Sequence, residues 1–382
     1  MKKRTILAIV AIAIALISVF RLKQQFPELT WPVIDNYSSD PETVTDKGSP
    51  YKIYYDQLAP IEKQAYNMIM EEIYDMPDKI LVPDLDENEL DNVFEAILSD
   101  NPDLFFLGRR CSVRAVLWNN FFQAEYIISK EEYPQQKAEL ERKTKEIIAT
   151  LPRDSEYNTE LAIHDYIVKH TDYKIEERQY VYSSSYGCLV NGIAACEGYS
   201  KAAKLLMDEV GIKSYLISGT AVTSQEEGGN HMWNIVEIDG KYYHLDCTWD
   251  DPITDKNTRT IQHTYFNVSD SVIKKSHSNF SLNLDCSSSG ANYYEKNGLI
   301  FSDYSRSDED KLADTLYKQY YAGVKEIQIG FGSKDSFDEA KKQLITDSRI
   351  YKVLSKKGDY FARKITGYYE NADAYTLTFI FK

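Results

Sequence analysis

The stretch Tyr186–Pro252, YGCLVNGIAACEGYSKAAKLLMDEVGIKSYLISGTAVTSQEEGGNHMWNIVEIDGKYYHLDCTWDDP, carries the pattern that decides the fold. Within it, Cys196 stands immediately before a helical run with Ala202, Leu205, Leu206 and Val210 on one face. Gly211 is placed to end that run in left-handed backbone. A thiol at a helix start meets unpaired N–H groups and the positive end of the helix dipole, both of which favour the thiolate. A cysteine there is equally readable as a small buried hydrophobe. Further on, Val236-Glu237-Ile238, Asp239-Gly240 and Lys241-Tyr242-Tyr243 predict a hairpin with a two-residue type I′ turn. Its register sets Ile238 opposite Lys241, Trp233 opposite Asp246 and His231 opposite Thr248. His231 and Asp246 then become diagonal neighbours on one sheet face, within side-chain reach. A slip of one residue would separate them. Nucleophile, base and orienting carboxylate are thus expected from one helix start and one hairpin.

The neighbours of these three residues are read more conservatively. Trp233 falls on the same face as His231 and is expected either to wall the site or to serve as sheet core. Trp249, Asp250 and Asp251 are expected to shape the loop after Asp246, and His164 and His244 to be hydrogen-bonded structural histidines. Alternation turns Cys247 to the opposite face, toward the core; a Cys188–Cys247 disulfide has no support in the sequence. The chain has five cysteines, none in C-x-x-C spacing, and its six histidines form no H-E-x-x-H. No metal site and no cofactor are expected. In an oxidising compartment the odd count leaves at least one thiol unpaired.

Outward from this stretch the chain divides into segments. Lys2-Lys3-Arg4 precede an apolar run, Ile6 to Phe20, broken only by Ser18. Residues 1–23 therefore read as a signal peptide or N-terminal membrane anchor, with the rest exported: anchored at the cell surface, or secreted if the segment is cleaved. Residues 24–50 read as a linker. Residues 51–150 are mainly helical, with a capping box at Asp86 and Glu89 before Leu90, Val93, Phe94 and Ile97. Asp84, Asp86, Asn88 and Glu95 also fall at positions of a calcium loop, but Glu89 occupies the place where that loop needs glycine. A strand is expected at 121–128 and helices at 131–148 and from Asp154 or Ser155. Residues 151–290 hold the catalytic candidate. Residues 310–382 read as a small α/β module, with strands through Ile327, Ile329 and Phe331 and through Tyr375 to Phe381, and a helix capped by Ser336 with Glu339.

Composition narrows the function classes. The 382 residues hold 44 basic and 59 acidic side chains, a formal charge of −15. Five of the basic groups and no acidic one lie in the first 23 residues, leaving 39 against 59, or −20, on the remainder. Such a body lacks the Lys and Arg that displace counterions from phosphates, which excludes a nucleic-acid binder. At 43% apolar and 27% charged, the chain is a folded globular protein.

GIAACEGYS around Cys196, NHMWNIV around His231 and YYHLDCTWDDP around Asp246 resemble the three blocks of the transglutaminase-like superfamily, in the same order. The resemblance covers about residues 155–270, with a looser likeness upstream at Asn101-Pro102 and His164-Asp165. It implies an α+β, papain-like core: a helix bearing the cysteine packed against an antiparallel sheet bearing His and Asp. It further implies a Cys196–His231–Asp246 triad acting on amide bonds of proteins or cell-wall peptides through a thioester. The Cys196 backbone N–H would serve as one oxyanion donor, with the Asn191 or Tyr186 side chain as candidates for the second. Water resolving the thioester makes a peptidase or amidase, which is favoured slightly; an amine makes a transglutaminase. A non-catalytic surface binding module and a peptide-N-glycanase-like amidase are the other readings. The partners implied are a protein or peptide substrate and the membrane at the N-terminal segment. Oligomeric state is not readable.

Overall fold

The computed structural model describes residues 48–175, 180–222, 228–251, 261–372 and 374–382. The basic-then-apolar segment and most of the expected linker lie outside these residues. Among the described residues, no helix is long and apolar enough to cross a membrane.

The first layer is helical, as its sequence periodicity suggests. Helices α1 (Ile53–Gln57), α2 (Pro60–Glu72) and α3 (Glu87–Asp100) pack around buried Tyr66, Ile69, Val93 and Ile97. Helix α3 starts in the expected capping box: the Glu89 N–H donates to the Asp86 carboxylate at 2.9 Å, and the Asp86 N–H to Glu89 at 2.8 Å. Asp84 accepts instead from the Asn120 amide, at 2.9 Å. The strand expected at 121–128 is one arm of a hairpin that periodicity did not show. Strands β1 (Ile80–Val82), β2 (Leu107–Val116) and β3 (Asn119–Tyr126) form a sheet ordered β1-β3-β2. The outer strand β2 alternates poorly because most of its length is exposed. Helix α4 (Tyr133–Ile148) follows, and then α5 (Glu156–His170), capped by Ser155.

The central part brings helix and sheet together. Short strands β4 (Asp172–Tyr173) and β5 (Ile193–Ala194) pair in parallel, and helix α6 (Cys196–Val210) begins two residues after β5. Strands β6 (Ser214–Ala221), β7 (Gly229–Ile238) and β8 (Lys241–Leu245) continue as an antiparallel meander, and β9 (His277–Ser278) adds to β6. The sheet order is β8-β7-β6-β9. The hairpin pairs Ile238 with Lys241 and Asn234 with Leu245, the expected register. Asp239 and Gly240 both take positive φ, 52° and 73°, as a type I′ turn requires. Pairing stops at Leu245, however: the Asp246 N–H turns to the Tyr265 carbonyl at 3.1 Å, so Asp246 leaves the ladder before facing Trp233.

A second apolar core gathers residues from Tyr294 to Phe381. It lies between helices α7 (Glu309–Tyr321), α8 (Lys334–Lys341) and α9 (Ile350–Ser355) and a sheet ordered β10-β11-β13-β12. Those strands are β10 (Ile300–Phe301), β11 (Glu326–Phe331), β12 (Ile365–Asn371) and β13 (Thr376–Phe381). One local expectation fails here. The cap of α8 is Ser333, whose side chain accepts from the Ser336 N–H at 3.2 Å. Ser336 is instead one turn inside, accepting from the Tyr304 N–H and donating to the Phe301 carbonyl. A serine three residues into a helix start matches the same pattern, and only tertiary partners decide which one caps.

Candidate active site

Helix α6 places Cys196 at its first position after Ala195, an extended residue whose methyl cannot cap the helix. The backbone N–H groups of the first turn are therefore not claimed by a side-chain cap at that residue. Cys196 is partly exposed, whereas Cys188, Cys247 and Cys286 are buried; all five thiols are free. The Glu-Gly-Tyr after the nucleophile candidate has a packing cause. A Cβ on Gly198 would stand 2.4 Å from the Tyr182 carbonyl oxygen and 2.7 Å from the Ala194 methyl, so only glycine lets the helix start sit this close. Glu197 is buried, and burial alone would raise its carboxyl. Lys201, at 2.9 Å, and the Arg109 guanidinium outweigh that and hold it below the usual range.

Strand β7 carries His231 opposite Gly219 of β6. A Cβ at Gly219 would come within 2.7 Å of the Trp233 ring and 2.6 Å of the Ser278 carbonyl. Its absence lets the indole lie flat beneath His231, with ring centroids 5.9 Å apart and planes 15° from parallel. Trp233 is fully buried and donates from Nε1 to His244 Nδ1 at 3.0 Å. Its place is thus under the histidine, as core. Trp249 is the more exposed neighbour, with its ring 5.8 Å from that of His231.

The His231–Asp246 neighbourhood is close: Nε2 to Oδ2 is 2.7 Å, with Asp246 1% exposed and His231 8%. Cys196 at the start of α6 lies near enough to this ring to raise its pKa. Burial favours a neutral imidazole, but the Asp246 charge, the hydrogen bond to it and Cys196 lift His231 to about 10. For Asp246, burial pushes up, while His231 and a second histidine, His277, hold the carboxyl far below its ordinary range. The other carboxylate oxygen accepts the Thr248 and Trp249 N–H groups at 3.0 and 3.1 Å. Geometry and charge together describe an imidazolium paired with an ionised, buried carboxylate.

Sequence reasoning missed His277. Strand β9 brings its Nε2 to 3.2 Å from Asp246 Oδ2, 31 residues along the chain, with no pattern in the sequence linking the two. The remaining candidates take structural places. Tyr186 stacks on Phe105 and donates to Glu139 at 2.5 Å. Asn191 is exposed at the end of a wide turn, Gly187–Asn191, that precedes β5. His244 lies between Trp233 and Asp270, and burial lowers it to about 4. His164 is fully buried between Asp165 at 2.9 Å and Asp250 at 3.2 Å, and Asp165 also meets His263 at 2.8 Å. Asp250 in turn accepts the Tyr265 N–H at 2.9 Å, which pins the loop whose N–H groups hold Asp246. Asp165 and His263 also line a separate cleft of about 550 Å³, bounded on its other side by Lys325, Glu326 and Gln328.

His164–Asp165–His263, His231–Asp246–His277 and His244–Asp270–Cys286 each bring three potential metal ligands together. The histidine–carboxylate contacts in all three groups have ordinary hydrogen-bond lengths of 2.7–3.2 Å.

Residues 143–247 match the Transglutaminase-like superfamily. Among solved structures, a TGase is 17% identical, with a TM-score of 0.28, over 47% of this chain and 51% of that one. A proposed cysteine protease from Cytophaga hutchinsonii is 11% identical, with a TM-score of 0.25, over 36% of this chain and 61% of that one. A proposed protease from Parabacteroides distasonis is 14% identical, with a TM-score of 0.23, over 37% and 30%. The chain spans about half the length of the TGase it resembles. No curated protein matches it.

Proposed function

We propose that this chain, whose residues 143–247 belong to the transglutaminase-like superfamily, is a cysteine-dependent acyl-transfer enzyme acting on amide bonds of proteins or cell-wall peptides. The observation that carries the reading is the buried 2.7 Å pairing of His231 with Asp246 beside a partly exposed cysteine at a helix start. Cys196 attacks the amide carbonyl as thiolate, and a thioester forms as the C–N bond breaks. His231, protonated in the resting pair, gives its proton to the leaving amine and takes one back from the nucleophile that resolves the thioester. Asp246 keeps the proton on the His231 nitrogen that faces it, so the other nitrogen works on Cys196 and substrate. The first-turn N–H groups of α6, that of Cys196 foremost, point at the developing oxyanion. The N-terminal run of basic and then apolar residues supports export, with anchorage or secretion depending on cleavage.

Hydrolysis is favoured over cross-linking: the site lies beside a partly exposed helix start, where water reaches the thioester unless a substrate covers it. The test is alkylation. Iodoacetamide is expected to label Cys196 faster than the other four thiols at neutral pH, and H231A to remove the difference. Labelling no faster than a model thiol would defeat the enzyme reading and leave a binding module. Incubation of a Gln-containing peptide with a labelled primary amine then separates the two fates. Release of ammonia without amine incorporation is expected, and incorporation would reverse that preference.

A further inference from the structure

We propose that His277 is a positioning residue of this site, holding Asp246 ionised and oriented toward His231 as the medium becomes acidic. The proposal rests on the triad reading above. Asp246 Oδ2 accepts from two imidazoles, His231 at 2.7 Å and His277 at 3.2 Å, while Oδ1 accepts two backbone N–H groups. A proton can settle on Oδ2 only by displacing one of the rings, so each donor opposes protonation of the carboxyl. Ser276 orients His277 for donation. Its Oγ lies 2.9 Å from His277 Nδ1 and also reaches the Ile273 carbonyl at 3.4 Å. With Asp246 ionised, the ring hydrogen is drawn to Nε2, which faces the carboxylate, and Nδ1 accepts from the hydroxyl. The ring is fully buried and walled by Trp249 at 4.5 Å, Trp233 at 4.9 Å and Tyr265 at 5.8 Å, which fix its direction.

The ionisable groups facing His277 set the sign. His231 on β7 is 5.3 Å away between ring centroids and is itself held positive. Asp246 after β8 is the anion His277 faces, and His244 on β8 and the Tyr265 ring also lie close to it. Without His277, Asp246 has one donor fewer and takes up a proton at higher pH. His231 then loses its anionic partner, and the Cys196–His231 pair collapses at a pH where the native pair still stands.

The readout needs no substrate: the rate of iodoacetamide labelling of Cys196, followed by peptide mass mapping on the full chain from pH 2 to 8. In H277L the acid limb is expected to move up by roughly one pH unit, about tenfold in rate at a pH on that limb, with the neutral plateau little changed. H277Q, whose amide N–H can donate from nearly the same place, is expected to recover most of the shift. An H277L limb that coincides with the native one, or a loss uniform across pH, would overturn the proposal. Where H277L does not fold, S276A replaces it. Removing the hydroxyl on Nδ1 is expected to give a smaller shift in the same direction, and an unmoved limb there is equally fatal. The two failures are distinguishable. Slow labelling of native Cys196 at every pH sinks the triad, whereas fast labelling with an unmoved variant limb sinks only the role of His277.

Discussion

Replacing Asp246 by Asn separates stability from chemistry at this site. Four donors converge on the carboxylate: two backbone N–H groups on Oδ1 and two imidazole nitrogens on Oδ2. An asparagine can keep its carbonyl oxygen toward Thr248 and Trp249, but its NH2 then faces two ring N–H groups. Left so, two buried donors would be unpaired at about 1–3 kcal/mol each. Both rings have an escape. His277 can move its hydrogen to Nδ1, where Ser276 Oγ at 2.9 Å accepts it, and His231 can move its hydrogen to the nitrogen facing Cys196. The NH2 then donates to both rings, and D246N should fold with a loss of no more than about 1–2 kcal/mol. D246A has no such escape and leaves four buried donors unpaired, on the order of 4 kcal/mol or more. The chemistry goes the other way. In D246N the His231 hydrogen blocks proton acceptance from Cys196, and the wrong tautomer is worth on the order of 10⁴ in turnover in a serine-protease triad. Iodoacetamide labelling of Cys196 in D246N at pH 6.5 is therefore expected to fall by about a hundredfold, the low end of what a positioned general base contributes, with urea unfolding near the native midpoint. Labelling within threefold of native would refute the assigned roles, whatever the stability.

Three further outcomes follow from positions around the site. G198A forces a methyl to within 2.4 Å of a backbone oxygen at the α6 start, and should cost about 1–3 kcal/mol in urea unfolding while slowing Cys196 labelling. D86A removes the α3 capping box and should cost about 1 kcal/mol in urea unfolding. His164 gives a pH test. Burial opposes its charge, but Asp165 and Asp250 raise it from 6.5 to about 9 in the fold. Its contribution is then complete below pH 6.5 and lost as pH rises through about 9. The stability gap between the native chain and H164Q should accordingly be wide at pH 6 and narrow at pH 9.5, and a gap that widens with pH would contradict the assignment.

What the sequence disclosed and what it hid divide along chain distance. The α6 start and the Asp239-Gly240 turn follow from local chemistry, a dipole and a positive-φ dipeptide. The hairpin register holds only to Leu245, however, and Asp246 reaches His231 at 2.7 Å after the Tyr265 carbonyl draws it off the ladder. The β2–β3 hairpin was half seen, because β2 is too exposed to alternate. Ser333 and Ser336 offered the same capping pattern, and the choice between them came from Tyr304 and Phe301, more than 30 residues away. Trp233 was legible as a neighbour of the site, and Trp249 only as part of the loop after Asp246. Which one lies beneath the imidazole depended on Gly219 across the ladder, a pairing that requires β6 to be placed first.

His277 marks the limit most clearly, and the reason is physical. A histidine two strands from the base, on a two-residue strand, leaves no periodic trace, because two residues cannot establish alternation. Its one signal is chemical. A buried carboxylate requires its acceptor positions to be filled, and the hairpin and following loop supply only three of the four donors to Asp246. The fourth had to come from elsewhere in the chain, and a donor that also tolerates protonation is most simply an imidazole. Counting unfilled acceptors on a predicted orienting carboxylate therefore says that a partner is owed before it says which one. Here the sheet edge supplies it by adding β9 beside β6, the strand on the far side of His231 from Asp246. The short edge strand thus has a chemical reason to exist: its Thr220–Ser278 and Ala221–His277 pairs close the sheet and aim the ring that completes the shell of Asp246.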